Sequence, residues 1–292
     1  MEHAYKNQTK AYQKLIEEYL NNTCFVDDRQ PQKKLFEAMR YSLLAGGKRL
    51  RPLLVLEFCR LCGGEVAKAL PFAAAVEMVH TYSLIHDDLP CMDNDDFRRG
   101  NPTNHKVYGE AIAVLAGDAL LTAAFAYIAK ADLPAESRIK AVEILSDCAG
   151  ELGMVGGQVL DIESESRQCT AQEVIDIQSR KTGALIRAAC LLGVIAAGGS
   201  PEHMNAAGDF ADHLGLAFQI RDDMLDVIGD AKTLGKSVGT DTVKNTFIQL
   251  YGIDVCDEMV GEQTSAALAA LSVFADSDYI RWLANSLTNR YL

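Results

Sequence analysis

Apolar residues recur at three- and four-residue spacing along almost the whole chain, in stretches such as "LFEAMRYSLL", "ALPFAAAVEMVHTYSLIH", "AIAVLAGDALLTAAFAYIA", "GALIRAACLLGVIAA" and "MNAAGDFADHLGLAFQIRDDMLDVI". That period aligns side chains on one face of a helix. No run alternates β-branched and polar residues as a half-buried strand would. The spacing predicts an all-α protein, with about ten or more helices at ordinary helix lengths. Gly46-Gly47, Gly63-Gly64, Gly198-Gly199 and Gly235 punctuate the pattern, and Pro52, Pro134 and Pro201 stand near expected helix starts. Several helices are alanine-rich and apolar around most of their circumference, as helices surrounded by other helices must be. With no Pro/Gly/Ser-rich linker, residues 1–292 are expected to form one large helical bundle.

Composition narrows the function classes. A formal charge of −12 disfavours general nucleic-acid binding, which needs a positive surface to replace phosphate counterions. An anionic ligand would therefore need local cations or metal. Mean hydropathy near zero argues for a soluble chain. The opening "MEHAYKNQTKAYQK" lacks an apolar h-region, and no uninterrupted apolar segment long enough to span a bilayer is expected. The eight cysteines are scattered, so a disulfide framework is not expected, and Cys59 and Cys62 lie inside an apolar helical run as core residues. A cytoplasmic protein is the expectation.

Two acidic clusters break this apolar background. "RDDMLD" places Asp222, Asp223 and Asp226 on a helix at spacings that bring carboxylates together. Their neighbours Phe218, Ile220, Met224 and Leu225 are apolar, so this is no ordinary solvated face, and the mutual repulsion calls for protons or cations. Oxygen ligands of this kind suit Mg²⁺, which keeps several waters and bridges carboxylates to phosphates. The second cluster, "LIHDDLPCMDNDDFRRG", begins where Asp87 and Asp88 close a helix and Pro90 cannot continue it. On an unbroken helix Asp93 would point about 240° away from Asp87. A loop after Leu89 would instead fold Asp93 back toward the same cation. Arg98 and Arg99 follow at once, a pair that suits a diphosphate held by metal better than a bare metal site.

Together "GGKRLRP" at Gly46–Pro52, "HTYSLIHDDLPCMDNDDFRRG", "KTG" from Lys181, "FQIRDDMLD" and "LGKSVGTD" from Leu234 closely resemble the all-trans polyprenyl diphosphate synthases, most of all the short-chain farnesyl and geranylgeranyl types. The resemblance implies an α-helical bundle, usually a homodimer, with two aspartate-rich helices facing each other across a deep central cavity. It implies ionisation of an allylic diphosphate, attack by the double bond of isopentenyl diphosphate and loss of a proton, adding five carbons. Mg²⁺ is the implied cofactor, as three ions with substrate bound, with Mn²⁺ able to serve. The metal ligands it implies are Asp87, Asp88, Asp93, Asp222, Asp223 and Asp226. Lys48, Arg51, His80 and Arg99 match the isopentenyl diphosphate site; Arg98, Lys181, Thr182, Gln219 and Lys236 match the allylic site. Asp95, Asp96 and Arg49 read as solvated charges. Lys244 stays outside the site, because the segment after Asp241 is shorter than the family spacing.

Product length in this family depends on side chains beneath the first aspartate-rich motif. Tyr82 lies five residues before Asp87, about 7.5 Å along a helix. By resemblance an aromatic side chain there stops growth at fifteen carbons. Ser83 lies closer to Asp87 in helical projection, about 40° against about 140°. Farnesyl diphosphate is the expected main product and geranylgeranyl diphosphate the alternative. Other classes fit less of the sequence. A His86-Asp87 metal phosphohydrolase leaves "GGKRLRP", Lys181 and "DDMLD" unexplained, a terpene cyclase does not need an isopentenyl site, and a non-catalytic partner subunit should have lost ligands that are all present.

Overall fold

The computed structural model describes residues 2–25, 30–228 and 245–289. In chain order the elements are α1 (Glu2–Thr23), α2 (Lys33–Leu43), α3 (Leu50–Leu61) and α4 (Val66–Asp87). A hairpin of β1 (Phe97–Arg98) and β2 (Asn101–Pro102) comes next, followed by α5 (Asn104–Tyr108), α6 (Glu110–Ala129), α7 (Ala135–Ala149) and α8 (Met154–Ser164). Then α9 (Ala171–Gln178) runs through a π-helical turn (Ser179–Gly183) into α10 (Ala184–Ala196) and α11 (Pro201–Ile228). After the undescribed residues come α12 (Phe247–Tyr251), α13 (Ile253–Ala270) and α14 (Asp278–Thr288). The two-residue strands, paired Phe97 with Pro102 and Arg98 with Asn101, are the only departure from an all-α fold among the described residues.

The helices that read as apolar all round are the ones at the centre. Residues 52–59 of α3, 72–79 of α4 and 188–196 of α10 are buried without a break. α4 packs along α3 and α6, and α10 packs along α3, α7 and α11. Phe58, Phe72 and Phe210 fill the space between them. A second, smaller core gathers Val174, Ile177, Ile220, Met224, Phe247 and Val260. α11, with 28 residues and therefore about 42 Å long, joins the two cores and carries the second acidic cluster at its far end. α1 is held across α3 by a buried network in which the Tyr12 hydroxyl donates to Glu57 at 2.9 Å and Arg60 donates to both Glu57 oxygens.

Two expectations need adjustment. α6 is in fact long and apolar enough to cross a membrane by length and composition, with a third of that window buried. Its alanines and glycine let it lie close along α4, with Ala113, Ala116, Gly117, Leu120 and Ala124 turned inward. All eight cysteines are free thiols; Cys59 is buried in the core, as its apolar surroundings predict, while Cys62 is only partly covered.

Candidate active site

The first acidic loop is shaped by the end of α4. Its last residue is Asp87, and Pro90 can supply no amide to extend it. The chain turns back, and the Asp93 amide donates to the Asp87 carbonyl at 2.8 Å while the amides of Met92 and Asn94 donate to Leu89. Asp87 and Asp93 thus become neighbours, and their mutual repulsion shows in the acidity of Asp87. Burial above all, opposed by Lys181 and reinforced by Asp93, raises its carboxyl from 3.8 to about 6. Burial outweighs the counter-charges of Lys181 and Arg98 there, a cost that a divalent cation would offset.

Asp88 behaves differently. It is 3% exposed and accepts from Arg98, Nε at 2.6 Å and Nη2 at 2.5 Å. One residue on from Asp87, it is rotated about 100° round the helix, and it faces the hairpin. Arg98 also reaches Asp95 at 3.1 Å, and Lys106 reaches Asp96 at 2.7 Å. The side chains of Asp95 and Asp96 stay 43% and 64% exposed, as expected of solvated loop charges, and each is ion-paired as well.

On α11 the residues Gln219, Asp222 and Asp226 stand three, four and seven apart and share one face. Asp223, one turn after Gln219, accepts from Gln219 Nε2 at 3.0 Å and from the Phe247 amide at 3.2 Å. Burial, despite those two donors, raises its carboxyl to about 6. Asp88 and Asp223 thus each bond a side chain of the protein, Arg98 and Gln219.

The π-helical turn links the clusters. Its extra residue per turn shifts the helix register at Lys181 and Thr182. Lys181 acts electrostatically on Asp87, and the Thr182 hydroxyl donates to Gln219 Oε1 at 3.1 Å. Lys181 Nζ also pairs with Asp161 of α8 at 2.5 Å. That approach requires Gly157, because a Cβ there would collide with the Lys181 backbone. Asp161 was not read from the sequence; its one signal is that it is a lone acid in the apolar run "MVGGQVLDI".

A cationic group surrounds His80. Burial first, then the charges of Arg51, Arg99, Arg98 and Arg49, hold its imidazole neutral, well below its ordinary range. Arg51 Nε is buried with no hydrogen-bond partner among the described residues, and the side chain senses Glu77, Arg99 and Asp222. Arg99, at φ +52°, donates to the Gly46 carbonyl and lies on Gly47, where a Cβ would come within 2.8 Å of its guanidinium carbon. Lys48 is exposed on the same loop. Arg49 is not solvated as the sequence suggested: it is 2% exposed and bonded to Glu17, Glu77 and the Leu43 carbonyl. Lys236, with Asp241 and Lys244, lies outside the described residues.

Tyr82 is 6% exposed and meets His86 edge-on, with ring centroids 5.7 Å apart. Ser83 bonds back to the His80 carbonyl at 3.0 Å. His86 Nε2 is 3.0 Å from the Val114 carbonyl, so its ring braces α4 against α6. No group of three or more His, Cys, Asp or Glu side chains forms a ready-made cage among the described residues. A phosphohydrolase of the His-Asp type needs one; Mg²⁺ shared with a diphosphate needs only one or two carboxylates from each side.

An all-α bundle with carboxylates at the ends of two helices, and guanidinium groups and a lysine near them, is the arrangement the sequence leads us to expect of a diphosphate-binding enzyme. The comparisons place it more closely. Residues 32–280 match the Polyprenyl synthetase family. The chain is 49% identical to a farnesyl diphosphate synthase of Geobacillus stearothermophilus, covering 76% of this chain and 75% of that one. It is 48% identical to the heterodimeric geranylgeranyl pyrophosphate synthase large subunit 1 of Arabidopsis thaliana, covering 86% and 70%. A crystal structure of an FPP/GFPP synthase from Zymomonas mobilis superposes with a TM-score of 0.89 at 35% identity, over 99% of this chain and all of that one. The chain belongs to the polyprenyl synthetase family.

Proposed function

We infer that the chain is a prenyltransferase that joins an allylic diphosphate to isopentenyl diphosphate head to tail, with farnesyl diphosphate as its main product. The observation that carries this reading is the linkage of Asp87 through Lys181 and Thr182 to Gln219 and Asp223, beside the cation group at His80. Asp87, Asp93, Asp222 and Asp226 would hold the magnesium, with Asp88 and Asp223, which also bond Arg98 and Gln219, beside them. Bound there, Mg²⁺ supplies the positive charge that a departing diphosphate requires.

The chain's own residues do the rest. Arg98 and Lys181 take oxygens of the allylic diphosphate and follow its growing charge as the C–O bond breaks, an interaction stronger in the transition state than before it. Arg51, Arg99 and Lys48 hold the second diphosphate so that its double bond faces the allylic cation. Thr182 and Gln219 present oxygen dipoles to that cation. A neutral His80 donates or accepts a hydrogen bond without adding another charge. The proton lost from the new chain leaves toward the bound diphosphate oxygens.

Fifteen carbons is the favoured length because Tyr82 is buried below Asp87 and braced by His86. Names among the relatives divide between farnesyl and geranylgeranyl synthases, so geranylgeranyl diphosphate is the second reading. Incubation with dimethylallyl and isopentenyl diphosphates, followed by sizing of the tail, decides between them. The chain works as a homodimer. α6 exposes Val114 and Leu115, 39% and 52%, on a helix otherwise fit for burial, and a second copy would cover them. Eight free thiols suit a reducing cytoplasm.

A further inference from the structure

Arg49 and Glu77 have no place in the chemistry above, yet both are 2% exposed and directly paired, Nη1 to Oε1 at 2.6 Å. The same guanidinium donates through Nη2 to the Leu43 carbonyl at 2.8 Å and through Nε to Glu17 at 2.7 Å. One side chain therefore joins α1, the end of α2 and the middle of α4. Its own backbone, at φ +52°, caps the start of α3 in the left-handed region that non-glycine residues avoid. Such a conformation persists where the surroundings over-determine it.

Glu77 lies one turn before His80 on the same side of α4. Its charge acts on Arg49, Arg51 and Arg99 alike. A buried ion pair adds little stability compared with an apolar pair of the same size. Its geometric effect is larger, because a bonded arginine fork fixes two elements in both distance and angle.

We propose that Arg49 and Glu77 form a buried clamp that locks the 46–49 loop and the start of α3 onto α4 and sets the spacing of Lys48, Arg51, His80 and Arg99 for the diphosphate of the homoallylic substrate. The pair touches no reacting atom and is a positioning pair. The proposal rests on the chain-elongation reading above.

The test is steady-state kinetics of Glu77→Gln and Arg49→Lys, varying isopentenyl diphosphate at saturating geranyl diphosphate and then the reverse. The KM for isopentenyl diphosphate is expected to rise about tenfold or more, a usual consequence of misplaced binding groups, with the allylic KM and kcat changed less than about threefold. Glu77→Asp, which keeps the charge, should recover part of the affinity. Glu57→Gln, which breaks a buried ion pair at the α1–α3 contact instead, is the control for lost stability: a lower Tm with both KM values unchanged. If Arg49→Lys does not fold, Glu77→Gln reads the same split. Equal shifts of both KM values, an unchanged KM for isopentenyl diphosphate, or the same split in Glu57→Gln would overturn the clamp. A wild-type chain without prenyl transfer would instead overturn the elongation reading, and the substrate named here with it.

Discussion

Asp87 carries a conflict that the ligand-free chain does not resolve. Its carboxyl, raised to about 6 chiefly by burial, is ionised at neutral pH where the fold would prefer it protonated. Because its unfolded value is near 3.8, the folded chain binds the extra proton between about 4 and 6, and the cost of the bare carboxylate is fully present above that window. Asp87→Asn should therefore raise the Tm of the metal-free chain at pH 7, with the gain fading as the pH approaches 4. A gain independent of pH would contradict the assignment. The same substitution, or Asp222→Ala, should lower kcat/KM by roughly a thousandfold, the scale on which removing a charge-stabilising group acts. Asp88 and Asp223 are expected to cost less, through loss of Arg98 and Gln219 placement. Which aspartates gather was legible from helical spacing and Pro90. That Asp88 and Asp223 are already bonded was not, because their partners Arg98 and the Phe247 amide arrive through a hairpin and a remote helix.

At the scale of elements, α4 and the π-helical turn divide the work. α4 carries Glu77, His80, Tyr82 and Asp87 along about three turns, so on the proposed reading it sets both where diphosphate binds and how far a tail can reach. Tyr82→Ala should move the main product from fifteen carbons to twenty or more, read by chromatography of the dephosphorylated tails; an unchanged product would remove Tyr82 as the stop. Lys181, on the turn at Ser179–Gly183, is held by Asp161. Asp161→Asn should reduce kcat by about ten- to a hundredfold, the range typical of supporting groups, with circular dichroism unchanged. Helix positions were readable from periodicity, and so was the loop that returns Asp93. The Arg49–Glu77 and Lys181–Asp161 pairs were not, since their members lie 28 and 20 residues apart on separate helices. Spacing rules reach only one helix face at a time.

For the molecule as a whole, a bundle of helices apolar on every side gives a rigid wall that can carry polar groups inward at few places. Among the described residues, three buried or half-buried ion pairs stand there, Arg49 with Glu77, Asp88 with Arg98 and Lys181 with Asp161, while Glu57 and Arg60 pair at the α1–α3 contact. Nearly all of the architecture followed from the 3.6-residue period and from alanine-rich faces, whereas the exposed apolar side of α6 has no account within one copy. Analytical ultracentrifugation should show a dimer, and Leu115→Glu should yield monomers; a wild-type monomer would contradict the second-copy reading. Every part of the mechanism meets in one assay, labelled isopentenyl diphosphate incubated with dimethylallyl diphosphate and the purified chain, with and without Mg²⁺. The account predicts Mg²⁺-dependent transfer of label into a fifteen-carbon diphosphate that stops when the metal is chelated. Undiminished turnover in excess chelator, or release of diphosphate with no carbon–carbon bond formed, would contradict it.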